Sequence, residues 1–178
     1  MISGYVKCGE FEKARALFDS MPDKDNVSWS AMISGYAQQD KFTETLVLFQ
    51  EMQIEGTKPD ETILVSVISA CTHLAALDQG KWIHAYIRKN GLKINIILGT
   101  TLINMYMKLG CVEDALEVFR GLEEKGVSTW NALILGLAMN GNHALQKVLT
   151  HNGWLNFPTE HEYKKRMPLN PNRRILTS

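Results

Sequence analysis

The strongest constraint on how this chain can fold is that it repeats. MISGY at 1–5 returns at 32–36, and degraded versions follow as VISAC at 67–71, LINMY at 102–106 and LILGL at 133–137. The starts are separated by 31, 35, 35 and 31 residues. A second column, Phe18, Phe49, His84 and Phe119, keeps the same register. Two columns in step over four units specify a linear array in which each unit packs on its neighbours.

The complete unit at residues 26–60, which keeps MISGY unchanged, defines the pattern. Trp29, Met32, Ile33 and Tyr36 share one face of a first helix, and Phe42, Leu46, Phe49 and Met52 form the matching stripe of a second. Ser28 stands before the apolar pattern and is the expected N-cap. Gly56 is placed to end the second helix in a left-handed conformation, and Pro59 directs the exit. Residues 1–25 form a unit lacking its lead-in, so the first helix is expected to be entered part-way. Its second helix carries Phe11, Ala14, Leu17, Phe18 and Met21 before Pro22.

Residues 61–95 form the third unit, with Leu64, Val67, Ile68 and Cys71 on its first helix and Leu77, Ile83, Ala85 and Ile87 on or near the core side of its second. Residues 96–126 form a short fourth unit, and 127–142 begin a fifth with a clear first helix. The 35-residue units gain four residues after the second-helix stripe, about one helical turn. From 143 to 178 the periodicity fails. Pro158, Pro168 and Pro171 with the KKR and RR clusters predict a divergent, largely disordered tail that does not pack on the array. The expected fold class is all-α, a right-handed superhelical solenoid of helix-turn-helix repeats.

Composition limits the functional classes. No apolar run approaches the roughly 18–20 residues needed to cross a bilayer, and no secretory signal pattern is present. Three separated cysteines, Cys8, Cys71 and Cys111, do not make a disulfide framework. The net charge of zero conceals an uneven distribution. Residues 1–142 carry 13 Lys and Arg against 17 Asp and Glu, while 143–178 carry 6 against 2. An acidic repeat body argues against strong non-specific attraction to nucleic-acid phosphates.

Cys71, His73 and His84 could be imagined as metal ligands. Cys71, however, sits in the column of Tyr5, Tyr36 and Tyr106, and His84 sits in the phenylalanine column, so both read as core or boundary residues. Trp29 and Trp130 likewise share a column, which favours packing over base stacking. No metal and no cofactor is expected.

The run VSWSAMISGYAQ, LFQEM and GTKPD, with GKWIHAYIRKNGL at 80–92 and TTLINMYMKLG at 100–110, closely resembles the pentatricopeptide repeat family, and its plant subgroup of mixed 35- and 31-residue units in particular. The resemblance covers about 1–142. It implies binding of single-stranded RNA in mitochondria or chloroplasts, one base per helical pair, as part of an RNA-processing or C-to-U editing factor. It also implies which positions read the base, the fifth and last residues of a unit. These are Ser30 with Asp60, Thr100 with Gly126, Val65 with Asn95, and Asn131 in the incomplete fifth unit.

Ser30 with Asp60 is the family's pairing for guanine, Asn131 is pyrimidine-type, and Val27 is placed to pack on a base. Gly126 departs from the expected Asp, and Val65 cannot hydrogen-bond a base edge. Members of the subgroup often end in a zinc deaminase-like domain, but neither H-x-E nor P-C-x-x-C occurs here; His161 and Glu162 are adjacent and without cysteine partners. The chain is therefore expected to be a binder rather than an enzyme, with no transit peptide of its own and other editing or processing proteins as partners. The competing readings are a tetratricopeptide-like protein scaffold and a truncated product inactive alone.

Overall fold

The computed structural model describes residues 2–141; the expectations for 143–178 lie outside them. Among the described residues every regular element is helical: α1 Ile2–Lys7, α2 Phe11–Asp19, α3 Asn26–Gln38, α4 Phe42–Ile54, α5 Glu61–His73, α6 Leu77–Lys89, α7 Ile96–Lys108, α8 Val112–Gly121 and α9 Val127–Met139. None of these helices is long and apolar enough to cross a membrane. The fold is an all-α solenoid of helical hairpins.

Local chemistry sets both ends of each first helix. Asp25, Asp60 and Asn95 adopt extended backbone, and their side chains accept from the amides of Ser28, Ile63 and Leu98 at 2.8, 2.9 and 3.0 Å. Each supplies an acceptor to an otherwise orphaned first-turn amide. The cap of α3 is thus Asp25 and not Ser28. Ser28 is inside the helix, where its hydroxyl also donates to Asp25 at 2.6 Å. Gly126 holds the same position before α9 with no side chain to offer.

The hairpin turn forms a column of its own. Gly9, Asp40, Ala75 and Gly110 all have positive φ. The amide after each of them bonds back to the carbonyl of Tyr5, Tyr36, Cys71 or Tyr106, at 2.8–3.0 Å. This is the glycine-favouring way to end a helix, and Asp40 and Ala75 adopt it without that freedom. Gly56 also has positive φ, after α4. The difference in repeat length is visible in the second helices: α4 and α6 have 13 residues each, α2 has 9 and α8 has 10.

The core runs between the two helical layers. Trp29, Met32, Ile33, Tyr36, Phe49 and Met52 are buried together. Phe18 meets Trp29 edge to face at 4.7 Å, and Phe119 meets Trp130 in the same way at 4.8 Å, so both short units hand over to the next by one aromatic pair. In α6, Ile83 and Ile87 are buried as expected, but Ala85 is exposed. Gly80 takes the core position, packed so closely under the Met105 side chain that a Cβ there would overlap it.

Consecutive first helices α1, α3, α5, α7 and α9 pack directly on one another. Gly35 against Val6 and Gly136 against Met107 leave no room for a Cβ at that interface. Second helices are linked instead by long side chains, as in Arg15–Glu51 at 2.9 Å and Arg88–Glu117 at 3.0 Å. A stack that is tight in one layer and wide in the other curves towards the tight layer. The first helices therefore line the inner face.

Candidate functional site

The inner face carries short polar side chains on the layer of first helices. An open groove of about 390 Å³ runs across α1, α3 and the start of α5. Lys7, Val27, Ser30, Ser34, Gln38 and Asp60 are among the residues that line it. Ser30 and Asp60, thirty positions apart, meet here because the hairpin returns the chain to the start of the next first helix. Val27 is 74% exposed at the first turn of α3, an apolar side chain held in water beside polar neighbours.

Asp60 has a fixed orientation. Pro59 is buried, and Asp60 Oδ1 accepts from the Ile63 amide, so the helix start holds the carboxylate. A carboxylate has about four acceptor sites, and the cap uses one of them. At the start of α3, Asp25 also accepts the Ser28 hydroxyl, and that hydroxyl together with the Ser28 amide holds the Asp25 carboxyl below the ordinary range. Ser34 and Ser66 join hydroxyls at 3.1 Å across the α3–α5 seam.

Other expected positions are less complete. Thr100 is half-buried and its hydroxyl pairs with that of buried Thr129 at 2.9 Å, while Gly126 adds no functional group. Val65 is half-buried against the core, and Asn95 is committed through Oδ1 to its cap. Asn131 is exposed on α9.

A second groove, about 300 Å³, lies between α5 and α7 and is lined by Ser69, Thr72, His73, Thr101, Asn104 and Lys108. The His73 ring stacks on Phe42 at 4.3 Å with the planes 13° apart. Lys7, His73 and Lys108 occupy equivalent places near the ends of their first helices, with Gln38 the member between. Sequence reasoning missed this column, although its common register was available to find it. Lys7 and Lys108 give the groove edges positive charge within a body of net negative charge.

The residues weighed as metal ligands do not converge. Cys71 is fully buried, and burial pushes its thiol up to about 11. His73 is stacked on Phe42, and His84 Nδ1 pairs with the Tyr106 hydroxyl at 2.9 Å. Among the described residues no three of His, Cys, Asp and Glu come together as a metal site. Trp29 is fully buried, whereas Trp130 is 40% exposed.

Comparison with known proteins places this arrangement in context. The PPR repeat family model matches residues 24–73, and the PPR repeat model matches 1–26, 100–127 and 128–144. Pentatricopeptide repeat-containing protein At4g38010 of Arabidopsis thaliana is 45% identical over 149 residues, covering 83% of this chain and 26% of that protein. The mitochondrial protein At2g22410 of the same plant is 49% identical, covering 78% and 25%. The chloroplastic At1g08070 is 45% identical, covering 79% and 19%. The chain thus spans about a quarter or less of the length of these relatives. The crystal structure of maize PPR10 superimposes with a TM-score of 0.66 at 20% identity, over 83% of this chain and 23% of that one. Repeat models across most of the array, relatives approaching half identity and a shared solenoid agree: the chain belongs to the pentatricopeptide repeat family.

Proposed function

We propose that the inner face binds single-stranded RNA, and that the chain is a segment of an organellar RNA-processing or C-to-U editing factor. The observation that carries this reading is the convergence of Val27, Ser30 and Asp60 on one groove. An exposed apolar side chain can pack on the face of a base, while a hydroxyl and a carboxylate meet its edge. Asp60 accepts from the N–H groups of guanine, and Ser30 completes the edge. Lys7 and Lys108 supply local positive charge that the overall balance conceals.

PPR10, whose fold this chain shares, has been crystallised with an 18-nt psaJ RNA element. Relatives named as chloroplastic and mitochondrial support an organellar setting. In this reading the chain binds and positions RNA, and partner proteins or other domains supply any chemistry. Thr100 contributes a single hydroxyl in the fourth unit, and Asn131 reads a pyrimidine in the fifth.

The test uses the 26–60 unit grafted into a longer array, so that affinity is measurable. Binding to oligonucleotides differing at one base is compared before and after Ser30→Asn. Direct readout predicts that preference moves from guanine to a pyrimidine, with a mismatch costing about 1–3 kcal/mol. An unchanged preference with uniformly altered affinity rejects it.

A further inference from the structure

The outer layer is interrupted at one joint. Arg15–Glu51 and Lys24–Glu55 tie the first unit to the second, and Lys81–Asp114, Arg88–Glu117 and Lys93–Glu123 tie the third to the fourth. Between α4 and α6, no ion pair forms among the described residues. The space there is an open cleft of about 390 Å³. Leu46, Phe49, Trp82 and Ile83 give it apolar walls, and three glutamines with Asp78 line the rest.

Two features of this cleft are unusual for a surface that faces only water. Trp82 is 51% exposed, and stacking on Tyr86 at 5.6 Å holds its ring in that position. Asp78 forms no ion pair with the described residues, whereas Glu51, Asp114 and Glu117 on the same layer all do. The cleft therefore offers an apolar hole, neutral amides able to pair with an extended backbone, and one first-turn carboxylate with no ion-pair partner among the described residues. This chemistry is wrong for RNA, because a carboxylate repels phosphate and no cation lines the cleft.

We propose that the α4–α6 cleft is a protein-docking site for a short segment carrying a large apolar side chain beside a lysine or arginine. The apolar side chain enters against Trp82 and Phe49. The amides of the glutamines meet the backbone, and the flanking cation pairs with Asp78. The site lies on the opposite layer from the inner groove, so both faces can be occupied together. It stands independently of the RNA reading.

The test is made on the full 178-residue chain with acetylated hexapeptides of sequence Gly-Ser-Leu-Arg-Ser-Gly. Two controls replace the arginine by glutamate or the leucine by serine. The readout is the indole N–H resonance of Trp82 in the labelled protein, assigned with Trp82→Phe. The Leu-Arg peptide should shift that resonance saturably. The glutamate control should bind about two- to fivefold more weakly, as expected for one solvent-exposed ion pair, and the serine control should leave it unmoved. Asp78→Lys should reverse the preference between the arginine and glutamate peptides, while circular dichroism confirms an intact array. No saturable shift, equal shifts from all three peptides, or an unreversed preference overturns the proposal. So does a shift that follows protein concentration without peptide, because the cleft would then join two copies of this chain.

Discussion

Asp60 serves two purposes with one carboxylate. Oδ1 closes the first turn of α5, and the side chain also lines the groove shared with Ser30 and Val27. Asp60→Ala removes the cap and should cost about 0.5–2 kcal/mol of stability, whereas Asp60→Asn keeps an acceptor and should cost little. Chemical denaturation of the two variants separates them; equal destabilisation would show that the cap contributes nothing. Sequence alone misplaced the cap of α3 at Ser28 because the search began from the apolar stripe, and the first turn of α3 precedes that stripe. The strain at Ala75 was also hidden. A positive φ at a non-glycine residue becomes visible only when Gly9, Asp40, Ala75 and Gly110 are aligned as one turn.

At the scale of elements, α6 and α7 are joined by a polar pair where other units place phenylalanine. His84 Nδ1 and the Tyr106 hydroxyl are 2.9 Å apart, and their rings meet edge to face at 5.7 Å. Burial holds the imidazole below its ordinary value of 6.5. Arg88 pushes in the same direction, and Glu117 and Asp114 oppose it. The fold thus favours the neutral ring, while the unfolded chain takes up its proton at the ordinary value. The stability contribution is complete above that value and declines as pH falls from about 6.5 through the lower folded value. The thermal midpoint should therefore drop on acidification, and His84→Phe should flatten the slope. An identical slope in the variant would assign the pH dependence to other groups.

Helix faces were legible in proportion to the width of their buried stripe. The first helices are packed on several sides, and the expected Leu64, Val67, Ile68 and Cys71 are all buried. The second helices bury a narrower strip. In α6, Gly80, Ile83 and Ile87 follow the three- and four-residue spacing, while Ala85 is two residues from each isoleucine and faces solvent.

For the molecule as a whole, the repeat period was enough to predict a two-layer array. The interrupted outer ladder was not legible, because pairing between α2 and α4 or α6 and α8 depends on the lateral offset of stacked units. Nor was the groove pair Ser30 and Asp60 readable from spacing alone; only the family resemblance pointed to it. Because contacts run mainly between neighbours, a whole unit should be removable. Deleting residues 61–95 joins Asp60 to Ile96 and leaves an acidic cap before α7. The shortened chain should keep its helical signal per residue in circular dichroism and melt at a lower temperature. Loss of helix throughout would mean that the array folds as one indivisible body.

The caps of the first helices also restrict how much such a surface can say. Asp60, Asn95 and Gly126 come from the small set of residues that begin a helix well. A bulky or aliphatic residue there would leave the following turn without its acceptor. Under the proposed RNA reading, this column is therefore limited to a short alphabet: a negatively charged acceptor, an amide whose oxygen is already engaged, a small hydroxyl, or silence. In that reading, diversity comes from the partner position on the preceding first helix, where Ser30, Val65, Thr100 and Asn131 do not cap a helix.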